Sequence, residues 1–394
     1  MEFSGSLGDL GTLLPMAMGM ILINGLDPAG SFLVIGCFYV FSGIYFGVTV
    51  PVQPMKVIGA YAIATNMTAA QISASGFLVG FFLLIIGVTN AISIAGKYIP
   101  KPVIKGVQLS TGVLLMAEGV RFITGGSKFQ ILHQAAEPFM KVQSLGPVPI
   151  GILIGVTGGF LTLLFLENRT FPAGLVIVAA GVSLGVVLGT HQGLDGAIHD
   201  LFSGLNFPSI LPFGFPKEAD FTFVLLALVL PQIPMTVGNA VVAYVDLSHE
   251  YFQEDSRKVT LRSSCISMAM ANFAGFFLGA MPLCHGAGGL AAHYRFGART
   301  AGSNLIIGTI FIVLAVFFGP HVLSILYLVP ISILGILLFF AGSQLSLEII
   351  DMKNRKDLFV SLVILGVTLA SNLAVGFILG IGIAYALKSD RLKI

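Results

Sequence analysis

Apolar segments of membrane-crossing length follow one another along almost the whole chain, and two of them are cut short just after a proline. In hydrocarbon every backbone N–H and C=O needs a partner within the protein, which restricts such a chain to helices. A helix crosses with about 20 apolar residues. The first short segment follows Pro51-Val52-Gln53-Pro54-Met55-Lys56 and runs on through a small-residue stretch, 57–64. The second opens with Pro282-Leu283-Cys284-His285-Gly286-Ala287-Gly288-Gly289 and continues into Leu290-Ala291-Ala292. Pro54 to Asn66 spans 13 residues, which is roughly 20 Å of helix against a hydrocarbon core of roughly 30 Å. Each segment therefore reads as a half-helix.

Only 10% of the residues are charged, where soluble domains carry about 25%. The chain is accordingly an all-α polytopic membrane protein, with the lipid bilayer as its surroundings. Hydropathy places full spans near 7–23, 29–48, 70–95, 101–123, 148–166 and 170–189, with a half-span at 54–66. A polar connection at 191–220 precedes a second set near 221–246, 258–280, 300–318, 322–342, 356–371 and 373–388, with a half-span at 285–297. That makes about 14 segments of the kind a bilayer requires. No basic stretch precedes the first apolar run, so no signal peptide is expected. Cys37, Cys265 and Cys284 lack metal-ligand spacing, and no disulfide framework is expected.

The basic residues orient the spans. With both termini cytoplasmic, 15 of the 20 Lys and Arg fall in inside loops, among them Lys97, Lys105, Arg169, Arg391 and Lys393. Four fall outside (Arg121, Lys128, Lys141, Lys217), and Lys56 alone lies within the first half-helix. This matches the positive-inside rule. Seven segments followed by seven more, with a half-helix third in each set, form a 7+7 inverted repeat, because an odd count turns the second copy upside down. Aligning Pro51 with Pro282 sets Gln53 against Cys284 and Pro54 against His285. Repeats of this kind place a binding site near the midplane.

The first N–H groups of a half-helix lack intrahelical partners, and a helix N-terminus carries roughly half a positive charge. An anion satisfies both. Pro54 suits the helix start, and Gly286, Gly288 and Gly289 allow a ligand close to the backbone. Lys56, in the first turn, points back toward the site. Two helix ends at roughly +0.5 each and one ammonium give a field of about +2, suited to a small dianion; the rival reading pairs Lys56 with Asp9. Gln232, Thr236 and Asn239 share one helix face and read as a polar lining, with Pro231 and Pro234 loosening the ladder beside them. Asp9 and Thr12 make a polar spot in the first span, where Asp9 either carries a coupling ion or offsets Lys56. Glu118 and Arg121 read as a structural pair. His285 opens the second half-helix as a donor to the ligand or a titrating group. No nucleotide-binding fingerprint, metalloprotease helix or nucleophile–base pair is present in the sequence. A non-enzyme is expected, without cofactor, metal or nucleic-acid partner.

At Ser4-Gly5-Ser6-Leu7-Gly8-Asp9-Leu10-Gly11-Thr12, at Pro51–Lys56 and at Met281–Arg299 the sequence resembles the molybdate transporter family of plants, fungi and bacteria, a branch related to the sulfate permeases (SulP). It departs at His293, where glutamine is common. The resemblance implies a uracil-permease-like fold. Core halves would occupy 1–98 (spans 1–4) and 221–319 (spans 8–11), gate halves 99–190 (spans 5–7) and 320–394 (spans 12–14), joined by 191–220. It also implies an oxyanion substrate and a homodimer through the gate. Sulfate permeases carry a cytoplasmic STAS domain, which a chain ending at Ile394 is expected to lack.

The expectation is thus a secondary active transporter of a tetrahedral divalent oxyanion, molybdate with sulfate or tungstate as alternatives, working by elevator-type alternating access in a cytoplasmic (inner) membrane if bacterial. The expected ligand shell is Gln53, Pro54, Met55, Lys56, Gln232, Thr236, Asn239, Cys284, His285, Gly286, Ala287, Gly288 and Gly289, with Asp9 and Thr12 as coupling or cavity residues. The coupling ion is left between H+ and Na+. Rival readings are a passive oxyanion channel or exchanger, and a nucleobase permease, whose acidic side chains in spans 8 and 10 have no counterpart here.

Overall fold

The computed structural model describes residues 1–89, 91, 99–166, 168, 172–193 and 205–388. Part of the expected 191–220 connection (194–204), the end of the 70–95 span and the basic residues Lys97, Arg169, Arg391 and Lys393 lie outside the described residues. The chain forms α1 (Glu2–Ser6), α2 (Leu10–Leu22), α3 (Pro28–Phe46), β1 (Gln53–Pro54), α4 (Lys56–Thr65), α5 (Ala69–Thr89) and α6 (Lys101–Thr124). A small hairpin, β2 (Ser144–Leu145) with β3 (Val148–Pro149), leads into α7 (Ile150–Phe165) and α8 (Ala173–Val187). The second half holds a long helix α9 (Asp220–Ser256), then α10 (Leu261–Leu278), β4 (Leu283–Cys284), α11 (Ala287–Arg295), α12 (Ala301–Val313), α13 (Ile331–Leu347), α14 (Arg355–Ala370) and α15 (Leu373–Ala386).

Among the described residues seven helices are long and apolar enough to cross a membrane, and the others are shorter. The protein is an integral membrane protein whose helices follow the apolar segments. Pro330 shifts one of them. The expected 322–342 span is interrupted ahead of this proline, and the helix begins only at Ile331, since proline lacks an N–H and disfavours helix in the residue before it.

Two crossing strands meet at the centre. β1 and β4 pair antiparallel, Gln53 opposite Cys284 and Pro54 opposite Leu283. The repeat alignment set Pro54 against His285; antiparallel pairing moves the partner back to Leu283. Each strand is held by a buried asparagine. Asn304 accepts from Val50 N (2.8 Å) and donates to the carbonyls of Val50 (2.9 Å) and Tyr39 (3.1 Å). Asn272 accepts from Leu283 N (3.2 Å) and donates to the carbonyls of Leu283 (2.8 Å) and Met268 (2.7 Å). Extended backbone at membrane depth requires such partners.

Around the strands α5 packs along α10, and α3 along α12. The α6 and α13 pair touches backbone to backbone: a Cβ on Gly342 would stand 2.6 Å from the Gly112 carbonyl oxygen, and one on Gly335 2.6 Å from that of Gly119. Small residues allow this approach where burial of apolar surface no longer drives association. Arg121 pairs with Glu118 at 2.9 Å, as the sequence suggests.

Candidate functional site

The first half-helix, α4, is 10 residues long and starts behind Met55, whose extended backbone ends the crossing strand. Three of the donors at its start are already committed. Met55 N–H donates to the Pro282 carbonyl (2.9 Å), and the N–H groups of Val57 and Ile58 donate to Gln232 Oε1 at 3.0 and 3.3 Å. Gln232 in turn donates from Nε2 to Thr236 Oγ1 (2.9 Å), and both side chains are buried. Gln232, expected in the ligand shell, caps the half-helix here, and Thr236 supports it. Asn239 parts from them and opens on a cavity. The stretches Leu225–Val229 and Thr236–Ala243 are π-helical, and the wider turns around Pro231 and Pro234 carry Asn239 off the face it shares with Gln232 in an ideal α-helix.

The second half-helix, α11, is free at its start. Gly286 occupies the N-cap position and no side chain caps it. The N–H groups of Ala287, Gly288 and Gly289 have no hydrogen-bond partner among the described residues. Its glycines divide by role. A Cβ on Gly288 would meet nothing within 4 Å, whereas one on Gly286 would collide with Gln53 Oε1. On Gly289 it would stand 2.6 Å from Asp9 Oδ2 and 2.8 Å from Gln53 Nε2. Gly288 thus faces open space, while Gly286 and Gly289 admit Gln53 and Asp9.

A cavity of about 680 Å³ lies in front of both half-helices. One wall holds Thr12, Gln53, Lys56, Asn239 and Gly288; the other comes from α6, α7 and α13, with Gln108, Thr162 and Gln344. Lys56 lines this space and makes no ion pair among the described residues. The rival Lys56–Asp9 pairing is not formed among the described residues; Asp9 Oδ1 accepts from Gln53 Nε2 at 2.7 Å. Asp9 is 2% exposed and stands behind the wall rather than in it.

The other expected ligands sit elsewhere. His285 is enclosed: Nδ1 lies 3.0 Å from the Pro51 carbonyl and Nε2 3.1 Å from Ser267 Oγ. Its ring rests between Phe38 and Tyr244, with centroids 4.7 and 5.2 Å away. Both nitrogens are engaged, so it has no donor left for a ligand. Cys284 and Met55 are buried in the apolar interior, Pro54 is taken up in the strand pair, and Ala287 is not among the cavity-lining residues.

The opposite wall escaped the sequence reading. Gln108 and Gln344 are polar positions within the apolar helices α6 and α13, which is the signal that marks them. Lys105 and Glu348 also line the cavity. Lys105 bridges to Glu348 (2.7 Å) and Asp351 (3.0 Å), joining α6 to the end of α13. No group of three His, Cys, Asp or Glu suited to a metal occurs among the described residues.

A family profile described as "Molybdate transporter of MFS superfamily" matches residues 1–115 and 224–345. Molybdate transporter 2 of Arabidopsis thaliana is 31% identical, covering 98% of this chain and 87% of its own length. Molybdate transporter 1 of the same plant is 30% identical, over 96% and 86%. Among solved structures, the transmembrane domain of the cyanobacterial bicarbonate transporter BicA aligns with a TM-score of 0.64 at 15% identity, covering 96% of each chain. That likeness is one of fold.

Proposed function

Because the chain belongs to this molybdate transporter family, and is a membrane anion transporter rather than an enzyme, we propose that it is a secondary active transporter of molybdate. The observation that carries the reading is the uncapped start of α11, which reaches the cavity at Gly288 beside Lys56, Thr12 and Asn239. The free backbone donor of Gly288, a helix-end partial charge and an ammonium answer the charge of a tetrahedral dianion. Gln232 withdraws two of the donors expected from α4, so the ligand is held asymmetrically, by α11 and by the Lys56 side chain.

Fourteen spans in a 7+7 inverted repeat remain our reading of the topology. It is supported by the antiparallel meeting of β1 and β4 at equivalent residues, and by the matched packing of α5 on α10 and α3 on α12. The elevator-type division follows from it, with spans 1–4 and 8–11 moving as a core against spans 5–7 and 12–14. The cavity has one wall from each group, as alternating access by movement of one group against the other requires. With the termini cytoplasmic, the Lys105–Glu348–Asp351 cluster marks an inward-opening mouth.

Uptake of labelled molybdate into proteoliposomes, with sulfate as competitor, tests this. Accumulation above the outside concentration, insensitive to equal sulfate, is the expected result. Equilibration without accumulation makes the protein a passive exchanger or channel, and preference for sulfate transfers the substrate to that anion.

A further inference from the structure

We infer that Asp9 and Gln53 form a proton-controlled amide switch, through which oxyanion binding takes up one proton; the inference rests on the oxyanion reading above. Two buried oxygens at the free end of α11, Asp9 Oδ2 and Gln53 Oε1, have no hydrogen-bond partner among the described residues. Both are acceptors. Gln53 Oε1 presses on Gly286 and Asp9 Oδ2 on Gly289, the two residues flanking the exposed Gly288. Gln53 is one of the residues that line the cavity, and its unpaired carbonyl oxygen sets a lone pair beside the free end of α11.

The cause lies in the Asp9–Gln53 hydrogen bond. An ionised carboxylate only accepts, so Asp9 Oδ1 takes the Gln53 amide N–H at 2.7 Å and leaves the amide oxygen unpaired against Gly286. A protonated carboxyl donates. With a proton from cavity water on Asp9, the carboxyl O–H donates to Gln53 Oε1 once the amide makes a half-turn about its terminal bond. Nε2 then occupies the place of Oε1, and the free end of α11 has an N–H beside it in place of a lone pair, which favours an anion there. Amide oxygen and nitrogen are nearly the same size, so the half-turn leaves the packing unchanged.

Charge favours the same outcome. The groups acting on or sensing Asp9 are Gln53 on β1, Lys56 on α4, Thr12 on α2, Tyr39 on α3 and Cys284 on β4; α11 contributes Gly289. Gln53 and Thr12 are uncharged, Lys56 is the one cation among these groups, and the Asp9 charge opposes it. Neutralising Asp9 returns the field at the cavity to that of Lys56 and the helix ends. A metal cation is served less well, since two free oxygens fall far short of the six or more that hard cations gather.

Calorimetric titration of the purified full-length protein with molybdate, in buffers of differing protonation enthalpy, reads the proton directly. About one proton taken up per molybdate is expected, with affinity falling about tenfold per pH unit on the alkaline side of the Asp9 transition. In Asp9→Asn the amide N–H donates permanently to Gln53 Oε1. That variant should bind at pH 8 about as tightly as the wild type does in acid, without proton uptake. Molybdate binding by the wild type without proton uptake overturns the switch and leaves the oxyanion reading intact, whether or not the variant folds. Uptake that persists in Asp9→Asn also overturns it. Absence of binding by molybdate and sulfate at every pH overturns both.

Discussion

The side-chain oxygen of Gln232 lies 3.0 Å from the backbone nitrogen of Val57 and closes the end of the first half-helix. It also accepts from Ile58, so one side chain satisfies two buried donors. In Gln232→Leu both N–H groups lose their partner, at about 1–3 kcal/mol for each buried group left unpaired. The expected result is a lower thermal midpoint in detergent, while the folded fraction keeps its molybdate affinity to within about the threefold change of an indirect effect. Unchanged melting with lost affinity would place Gln232 in the ligand shell instead.

Lys56 is the converse case. It lines the cavity and makes no ion pair among the described residues, so its ammonium contributes little to the fold. Hydrogen bonds to charged groups are worth about 1.5–3 kcal/mol, and each 1.4 kcal/mol is about tenfold in affinity. Lys56→Ala is expected to weaken molybdate binding by about ten- to a hundredfold in equilibrium titration, with unchanged elution and melting. Wild-type affinity in this variant removes Lys56 from the site.

The α11 glycines separate space for a ligand from space for the protein. Gly288→Ala adds a methyl to the open cavity, so it should fold normally and bind molybdate less well. Gly289→Ala drives that methyl to 2.6 Å from Asp9 Oδ2, and Gly286→Ala drives it into Gln53 Oε1. These two are expected to melt earlier, with overpacking typically costing about 1–3 kcal/mol. The three melting curves, set beside binding by the same preparations, check the division. Equal destabilisation by all three would mean that Gly288 is packed rather than open.

The half-helices are legible in the sequence because hydropathy and proline act locally: Pro51, Pro54 and Pro282 mark the breaks, and the apolar runs after them are too short to cross. What remains hidden depends on contacts between distant residues. Nothing near Val57 announces that its N–H meets Gln232, 175 positions later. The π-helical turns of α9 are equally silent, so Asn239 and Gln232 share a face on paper and part in space. His285 reads as a ligand from its place in the repeat, yet Phe38, Tyr244 and Ser267 enclose it. Lys56 and Gly288 were recognisable because a charge and a glycine at a helix start are themselves local signals.

Asn272 is the side chain through which the second crossing strand depends on its neighbour. It bonds both backbone groups of Leu283 and is itself 1% exposed. Asn272→Leu keeps the volume roughly constant while leaving the Leu283 N–H and C=O unpaired in an apolar interior. Unsatisfied groups of that kind cost about 1–3 kcal/mol each, so a loss of roughly 2–6 kcal/mol is expected. Asn272→Asp keeps the acceptor for Leu283 N–H and should retain more of the stability if that bond dominates, or less if burying a second carboxylate outweighs it. Thermal unfolding of the two variants in one detergent decides between them. A melting curve for Asn272→Leu matching the wild type would mean that β4 is held by its pairing with β1 alone.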